Sequence, residues 1–257
     1  MKPESQPDPL APPPLPAAGA RWAAFLDLDG TLVGFSDDPG SVALAPETLA
    51  ALRRLDQALG GAFAIVSGRP LDDLDRLLGD FRPAGAGKHG HEWRTESRAD
   101  ATTEPPRETL EAARAATRAL AAALPGVQLE DKGTAFALHY RTRPEHQAAV
   151  LAGVERILEA ASPHWVVQRG DHVVELLPPG ADKGRALERL MSQPPFAGRT
   201  PVAIGDDHTD EHMFVAAARL GGFGVVVGPR RPTAARHALA GPDAVREWLE
   251  RVGEAAS

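Results

Sequence analysis

Two carboxylates two positions apart, Asp27 and Asp29, stand directly after a short apolar run and before Gly30. Side chains two apart on a strand project to the same side, so both carboxylates can enter one cavity at the strand's end. One could attack a phosphorus atom and hold the phosphoryl group as an aspartyl phosphate. The other could give a proton to the leaving oxygen and later take one from water. A Mg²⁺ site and an ordinary loop of solvated acids remain open as alternatives.

A hydroxyl and a lysine occur at two further points where phosphate chemistry would use them. Ser67 follows an apolar run and precedes Gly68, and a hydroxyl beside free backbone N–H groups suits a phosphate oxygen. Lys183 opens a helical segment, where its charge could neutralise a transferring phosphoryl group. Alone, each has a simpler interpretation: an ordinary Ser-Gly turn and an exposed surface lysine. Arg69 could sense the phosphate or form a structural ion pair.

A dense acidic cluster follows another apolar run, over residues 205–211. Acids directly after a buried strand are costly unless a cation or hydrogen bonds compensate them. Oxygen-rich ligation of this kind suits Mg²⁺, with Asp206 as the expected direct ligand. Asp207 and Asp210 would ligate through water or hold the loop. A helix start at Thr209, with acids favoured by the helix dipole, is compatible with the metal site.

The elements that must position these clusters alternate along the chain. Short continuous apolar runs predict strands buried on both faces, and stretches with apolar residues at helical spacing predict helices between them. Such alternation predicts a parallel, doubly wound sheet, in which sites lie at the carboxyl ends of the strands. The predicted strands end at residues 26, 66, 204 and 227, and the helices cover residues 46–59, 71–78 and 210–219.

Residues 107–178 follow a different pattern and predict an inserted α+β unit. The order is helix, strand, strand, helix, strand, strand, with helices near 109–124 and 146–161. In the first strand Glu130 and Lys132 lie on the face opposite Val127 and Leu129. A polar sheet face that closes over a phosphatase site could bind sugar hydroxyls. A solvated sheet face with a charge pair is the alternative.

The four polar clusters, in this order, resemble the four motifs of haloacid-dehalogenase-type phosphatases, over nearly all of the chain from residue 22 to about 252. The resemblance implies an α/β fold, with a Rossmann-like doubly wound parallel sheet as core and an inserted α+β cap domain of αββαββ type. It also implies the catalytic residues: Asp27 as nucleophile, Asp29 as general acid and base, and Ser67 and Lys183 as phosphoryl ligands. The implied cofactor is Mg²⁺, held by the carboxylates of Asp27 and Asp206 and by the backbone carbonyl of Asp29. Asp207 and Asp210 would support this site.

Further segments narrow the resemblance to trehalose-6-phosphate phosphatases. They are Gly87-Lys88-His89-Gly90 with Glu92, Glu130-Asp131-Lys132-Gly133 with His139-Tyr140-Arg141, Glu175 with Pro178, Gly180 and Asp182-Lys183-Gly184, and the Gly-Asp-Asp-x-Thr-Asp-Glu form of the last motif. The resemblance implies that trehalose 6-phosphate is the substrate and that the cap grips its sugar through Glu130, Lys132 and Glu175. The expected substrate-binding residues are completed by Arg69, Lys88, His89, Gly90 and Arg141.

Composition excludes several classes of protein. The chain has 257 residues, 35 acidic against 28 basic, and a net charge of −7, which argues against a general nucleic-acid binder. It has no cysteine, so disulfides, thiolate nucleophiles and cysteine-bound metals are excluded. No apolar run reaches the length of a membrane span, and the N-terminus lacks the pattern of a secretory signal. We therefore expect a cytoplasmic protein that does not bind membranes.

The domain organisation expected from the sequence has three parts. Residues 1–20 are rich in proline and predict a disordered tail or a semi-rigid linker. Residues 21–106 and 179–257 form the catalytic core, and residues 107–178 form the cap. We expect a monomer, and an association with a trehalose-phosphate synthase is a further expectation.

Two alternative functions remain at this point. A phosphatase for another sugar phosphate, of the sucrose or mannosylglycerate type, could use a similar cap. A non-catalytic sugar-phosphate sensor or synthase partner would belong to another class, but it predicts a damaged catalytic set, whereas every expected position is intact. His91 and His208 fill variable positions in their motifs and are expected to be bystanders.

Overall fold

The computed structural model describes residues 10–34, 42–95, 98–101, 105–161, 164–170, 172–180 and 182–256. Its larger sheet has eight strands in the order β12-β11-β10-β1-β2-β3-β4-β5. They are β1 (Trp22–Leu26), β2 (Phe63–Val66), β3 (Ala84–Gly87), β4 (Glu92–Thr95), β5 (Arg98–Ala101), β10 (Thr200–Gly205), β11 (Phe223–Val227) and β12 (His237–Leu239). The six strands from β12 to β3 pair in parallel, and β4 and β5 extend the sheet as antiparallel strands.

The central strands consist almost entirely of apolar residues because they are covered on both faces. β1 and β2 are buried along their whole length, and the helices pack in pairs, α1 with α7 and α5 with α6. The helices of this part are α1 (Pro46–Ala58), α2 (Leu71–Leu78), α5 (Lys183–Met191), α6 (Asp210–Arg219) and α7 (Pro242–Ala256). The predicted strands of the parallel sheet and the helices that pack on it are confirmed. The carboxyl ends of the parallel strands lie along one edge of the sheet.

Four strands of this sheet were not predicted. β3 has the sequence Ala-Gly-Ala-Gly and β12 has only three residues, so neither carries a run of large apolar side chains. β4 and β5 alternate polar and apolar residues and turn back along β3. They pair because β3 leaves an open edge, and that edge is a property of the sheet rather than of the local sequence.

The inserted unit forms a separate sheet of four antiparallel strands in the order β6-β7-β9-β8. Its elements are α3 (Arg107–Ala123), β6 (Gln128–Asp131), β7 (Phe136–His139), α4 (Gln147–Ala161), β8 (Val166–Gly170) and β9 (Val173–Leu177). This is the predicted αββαββ order. Phe136, Leu138, Val174 and Leu176 form an apolar face that packs, with Trp165, against α3 and α4. The other face carries polar residues and is turned towards the core.

Residues 10–20 do not behave as the predicted disordered tail. Leu10 and Leu15 pack against the hydrophobic core, the indole N–H of Trp248 donates to the carbonyl of Pro14 at 3.2 Å, and Ala238 N–H donates to the carbonyl of Ala11 at 3.1 Å. Prolines exclude a helix here, yet an extended chain still accepts hydrogen bonds and buries apolar side chains. Residues 1–9, the rest of the predicted tail, lie outside the described residues. None of the described helices is both long enough and apolar enough to cross a membrane.

Replacing both Leu10 and Leu15 by Ala should destabilise the core. Both side chains are partly buried, so we expect a loss of about 1–2 kcal/mol in the free energy of unfolding, less than two fully buried leucines would give. Urea denaturation of the double variant measures it. Ala17 and Ala18 are exposed, and their replacement by Ser is the matched control. Equal denaturation midpoints for the wild type and the leucine variant would contradict the packing of this segment.

Candidate active site

The chemistry of the site centres on a buried lysine between two carboxylates. Lys183, the first residue of α5, places its Nζ 2.8 Å from Oδ1 of Asp27 and 2.7 Å from Oδ1 of Asp210. Asp27 follows β1, where its N–H continues the parallel pairing by donating to the carbonyl of Ile204 at 2.9 Å. The side chains of all three are 6% exposed or less. The sequence clusters that contain these residues therefore meet at the strand ends, as predicted.

Burial and crowding shift the pKa values of these groups. Burial, followed by the neighbouring charge of Asp210, raises the pKa of Asp27 well above its ordinary value, although Lys183 opposes the shift. Burial lowers the pKa of Lys183, but the carboxylates of Asp210 and Asp27 outweigh it and raise that pKa overall. Lys183 is thus held as an ammonium ion. The positive charge near Asp27 is too small to offset burial and the negative charge of Asp210.

Asp206 brings a third carboxylate into the group. Its Oδ1 accepts a hydrogen bond from the Thr31 hydroxyl at 3.0 Å. Gly30 has φ +81°, and a Cβ there would lie 2.2 Å from Oδ2 of Asp206, so only glycine lets this carboxylate approach the turn after β1. Burial, followed by the charge of Asp210, raises the pKa of Asp206 to about 7.

Asp210 organises the loop that follows β10. Its Oδ2 accepts hydrogen bonds from the backbone N–H groups of Asp206 at 2.9 Å and Asp207 at 3.0 Å, while its Oδ1 accepts from Lys183. A Cβ on Gly205 would lie 2.2 Å from Cγ of Asp210, so the absence of a side chain makes room for this contact. Both oxygens of Asp210 are engaged, and it supports the site rather than offering a free ligand.

The donor set fits a divalent cation. Oxygens of Asp27, Asp206 and Asp210 lie within 4.8 Å of one another, and three carboxylates face the single ammonium of Lys183. Burial and the charge of Asp210 raise the pKa values of Asp27 and Asp206 although Lys183 opposes both shifts, as expected where there is an excess of negative charge. A hard dication with carboxylate oxygens would offset it, with Asp27 and Asp206 as the direct ligands. The role of the Asp29 backbone carbonyl stays a prediction.

Asp207 is not one of these three carboxylates, and of the two roles expected for it, ligation through water or holding the loop, its contacts support the second. Its Oδ1 lies 3.1 Å from Nη2 of Arg230, whose Nε donates to the backbone carbonyl of Asp206 at 2.8 Å. Arg230 lies 24 positions from Asp206, and nothing in the local sequence marks it. Arg230, from the loop after β11, thus offers the Asp207 carboxylate a charge-assisted partner.

Ser67 and Asp29 lie on the other side of Asp27 and are linked through Arg69. The backbone N–H of Arg69 donates to the Ser67 hydroxyl oxygen at 3.1 Å, which leaves the hydroxyl proton to be donated elsewhere. The Arg69 guanidinium binds both oxygens of Asp29 at 2.7 Å. Arg69 is therefore paired with the predicted acid and base, which is the ion-pair alternative.

The polar face of the inserted sheet carries an alternating chain of charges. Lys132 contacts Oε1 of Glu175 at 2.5 Å and Oε2 of Glu130 at 3.8 Å, and Glu130 contacts Nε2 of His139 at 3.0 Å. From the core, His89 Nε2 lies 2.7 Å from Oε2 of Glu175, an ion-pair contact without hydrogen-bond geometry. Burial raises the pKa of Glu175, but His89 and Lys132 outweigh it and hold that pKa well below its ordinary value.

One cavity of about 940 Å³ joins the core cluster to this polar face. It is lined from the core by residues that include Asp27, Asp29, Ser67, Arg69, His89, Lys183 and Asp206, and from the insertion by residues that include Glu130, Lys132, His139, Arg141 and Glu175. The reacting group and the polar sheet face thus share one cavity, with Arg141 at an exposed position.

Lys88 and Gly90, predicted to bind substrate, are not among the lining residues. Lys88 pairs with Glu92 at 2.6 Å. A Cβ on Gly90 would lie 2.9 Å from the carbonyl of Asp182, so Gly90 allows this turn to pack against the start of α5. The turn supports His89, which adopts the left-handed φ of 56° and reaches the cavity itself.

The two histidines expected to be bystanders lie outside the cavity lining. His91 is buried, and its Nε2 lies 3.1 Å from the carbonyl of Pro178. It contacts the chain where the insertion returns to the core. His208 is exposed. Among residues that sequence reasoning missed, Thr31 had a signal, since it follows the two carboxylates and Gly30 directly; Arg230 had none.

Comparisons with known proteins agree with this site. The family model described as trehalose-phosphatase matches residues 25–243. The chain is 44% identical over 217 residues to the "probable trehalose-phosphate phosphatase" of Sinorhizobium fredii (strain NBRC 101917 / NGR234), covering 82% of this chain and 80% of that protein. It is 39% identical over 237 residues to the trehalose-6-phosphate phosphatase of Escherichia coli (strain K12), covering 92% and 88%.

The fold has a solved counterpart in the C-terminal domain of Candida albicans trehalose-6-phosphate phosphatase. The TM-score is 0.78 at 22% sequence identity, covering 91% of this chain and 92% of that chain. At this identity the likeness concerns the fold, a haloacid-dehalogenase-type core with an inserted cap. We use the name cap for residues 107–178 from here on.

Replacing Asp206 by Asn should stabilise the metal-free protein at pH 8. Folding raises the pKa of Asp206 to about 7, so stability falls as the pH rises from the lower unfolded value towards 7, and Asn removes that loss while keeping an oxygen for Thr31. We expect the melting temperature in EDTA to rise by roughly 2–8 °C at pH 8 and to stay unchanged near pH 4. A lower melting temperature at pH 8 would contradict the charge imbalance.

Two variants distinguish the expected metal ligand, Asp206, from its neighbour, Asp207. Mg²⁺ should raise the melting temperature of the wild type and of Asp207→Asn, but not that of Asp206→Asn, because a ligand that binds only the folded state stabilises it, and more so the tighter it binds. Loss of the Mg²⁺ effect in Asp207→Asn as well would place Asp207 among the ligands.

Proposed function

Because the chain belongs to the trehalose-phosphatase family, we propose that it hydrolyses trehalose 6-phosphate to trehalose and inorganic phosphate. The observation that carries this is the shared cavity, which places a buried carboxylate and lysine opposite a polar sheet face. The carboxylate and the lysine can break a phosphate ester, and the polar sheet face can select a sugar. The family is named for this activity, and so are the two bacterial relatives.

The first half of the reaction transfers the phosphoryl group to Asp27. One carboxylate oxygen of Asp27 attacks phosphorus, the bond from phosphorus to the sugar's 6-oxygen breaks, and its electron pair stays on that oxygen. Asp29 gives this oxygen a proton. Lys183 and the Ser67 hydroxyl donate hydrogen bonds to the phosphoryl oxygens, and the lysine charge offsets theirs.

The second half returns the enzyme to its starting state. Water attacks phosphorus, Asp29 takes a proton from this water, and the bond between phosphorus and Asp27 breaks with its electron pair on the carboxylate. Phosphate leaves with Asp27 ionised and Asp29 protonated, so the proton that Asp29 lent to the sugar is replaced from water.

Mg²⁺ is the divalent cation we propose for the group formed by Asp27, Asp206 and Asp210. When bound, it would supply positive charge next to the phosphoryl group and the nucleophile. The fit rests on three close carboxylates and on the raised pKa values of Asp27 and Asp206.

Recognition of the sugar falls to the polar face of the cap. Glu130, Lys132, His139 and Glu175 offer acceptors and donors that satisfy one another while the cavity holds no sugar. Sugar hydroxyls can replace these contacts one for one, whereas a ligand that displaced them without matching hydroxyls would leave buried charges unpaired. This argues against a general phosphatase. The intact set of Asp27, Asp29, Ser67 and Lys183 argues against a non-catalytic sensor.

Phosphate release across a panel of sugar phosphates tests the proposal. With Mg²⁺ we expect kcat/KM for trehalose 6-phosphate to exceed that for glucose 6-phosphate and sucrose 6-phosphate by at least about tenfold, because one unpaired buried polar group costs about 1–3 kcal/mol. EDTA should abolish the activity. Turnover of trehalose 6-phosphate no faster than that of the other esters would refute the assigned substrate.

Asp27→Asn is the control for the chemistry, since it keeps the shape of the nucleophile and removes its charge. Loss of a nucleophile costs several powers of ten, so its activity should fall at least about a thousandfold on every ester. Near-normal turnover would remove Asp27 as nucleophile without deciding the substrate.

Glu130→Ala should damage sugar recognition and leave the chemistry intact. We expect kcat/KM for trehalose 6-phosphate to fall roughly 10–100-fold, the cost of an unpaired buried polar group, while p-nitrophenyl phosphate is hydrolysed within about threefold of the wild-type rate. Asp131 lies on the same strand but pairs with Arg114 of α3. Asp131→Ala is therefore the matched control and should change the rate on neither substrate. Equal losses on both substrates for Glu130→Ala would make Glu130 a structural residue.

A further inference from the structure

We propose that Arg69 is the positioning residue for Asp29: it holds that carboxylate at the leaving oxygen for both proton transfers and is not a ligand of the phosphate. This role rests on the proposed function, because it lies within that reaction. It concerns a residue for which the sequence left two alternatives, the phosphate and an ion pair.

The guanidinium binds Asp29 through two parallel hydrogen bonds. Arg69 Nε donates to Oδ2 and Nη2 donates to Oδ1, both at 2.7 Å. Two such bonds fix the plane of the carboxylate as well as its position, which a single bond or a lysine would not do. Each oxygen of Asp29 keeps a further lone pair for the proton that it must give or accept.

The backbone on either side aims Arg69 at this partner. Its N–H donates to the Ser67 hydroxyl oxygen at 3.1 Å and its carbonyl accepts from Lys88 N–H at 2.9 Å. The next residue is Pro70, which restricts the backbone of Arg69 to extended conformations. The side chain is only 11% exposed, so it is held in place from both ends.

The pair faces the cap, where the leaving sugar would lie. Asp29 and Arg69 line the cavity together with Glu130 and Lys132. The hydrogen bond to Asp29 raises the pKa of Arg69 and outweighs burial, and the charge of Glu130 adds to this. Asp29 thus shares the cavity with the nucleophile and with the residues proposed to bind the sugar, where a proton is needed.

The chemistry explains why an arginine suits this position. In the first transfer the proton leaves Asp29 for the sugar oxygen as the phosphorus–oxygen bond breaks, and Asp29 becomes a carboxylate. Both N–H groups of Arg69 match that carboxylate, so they stabilise the state from which it next takes a proton from water. A misplacement of about 1 Å in such a group can cost about a hundredfold in rate.

Leaving groups of different basicity separate this role from phosphate binding. A sugar alkoxide needs a proton as it leaves, whereas p-nitrophenolate is stable without one, so only the sugar ester requires Asp29 in the first step. A phosphate ligand would act on both esters alike, since they share the phosphoryl group.

The test compares Arg69→Gln with the wild type on trehalose 6-phosphate, or on whichever sugar phosphate the wild type hydrolyses fastest, so that it does not depend on the exact substrate. We expect kcat on the sugar ester to fall about a hundredfold, with KM within about threefold. Arg76→Gln is the matched control, because Arg76 is an exposed residue of α2 paired with Asp73, and it should change neither constant.

Rapid mixing with p-nitrophenyl phosphate resolves the two steps. Arg69→Gln should release one equivalent of nitrophenol per enzyme in a burst at close to the wild-type rate, followed by slow turnover, because only the second step then needs Asp29. Arg69→Lys should restore less than about a tenth of the lost rate on the sugar ester, since one ammonium cannot make both hydrogen bonds.

Three results would overturn the proposal. A raised KM and a slowed burst on both esters would make Arg69 a phosphate ligand. If Arg69→Gln lowered the rate of the Asp29→Asn variant by the same factor as it lowers the wild-type rate, the two residues would act independently. We expect Arg69→Gln to cause no further loss in the Asp29→Asn variant. Equal losses on both esters with a lowered melting temperature would make Arg69 a structural residue.

Discussion

The ammonium group of Lys183 lies buried between the carboxylates of Asp27 and Asp210, at 2.8 Å and 2.7 Å, and the rest of the site depends on this contact. An isolated buried charge is too costly to keep, so these groups must come together or lose their charge. Lys183 begins α5, Asp27 follows β1, and Asp210 begins α6. The ion group therefore ties three elements to one point at the strand ends.

The same group leaves negative charge unbalanced, and that imbalance serves the proposed chemistry. Three carboxylates share one ammonium, and burial together with the neighbouring charge of Asp210 raises the pKa values of Asp27 and Asp206. A cation bound to this group would relieve that repulsion, so relief of the electrostatic cost in the metal-free protein would favour cation binding. Asp210 uses both oxygens to hold Lys183 and the loop after β10, which sets the position of Asp206.

Chemistry and selection are divided between two sheets. The parallel sheet carries the reacting groups, and the cap sheet carries a face of alternating charges that pair with each other. Glu130 and Glu175 each have a partner without a sugar, so binding exchanges contacts instead of desolvating free charges. His89 connects the two parts through its contact with Glu175, whereas Arg69 pairs with Asp29 within the core.

Sequence by itself determined the elements with strong local signals and the residues at their ends. Apolar runs ending in Asp27, Ser67 and Asp206 predicted parallel strands whose carboxyl ends meet, because a buried strand and its polar end are both written locally. Only the tertiary structure decided which partner each polar side chain takes. Asp207 pairs with Arg230, Arg69 pairs with Asp29, and the carbonyl of Pro14 in the proline-rich segment accepts a hydrogen bond from Trp248. Weak strands such as β3 also formed only because a neighbouring edge was present. The reason is physical: the pairing energy of a charge or a strand edge depends on what lies within a few ångströms of it, and distant parts of the chain supply those neighbours.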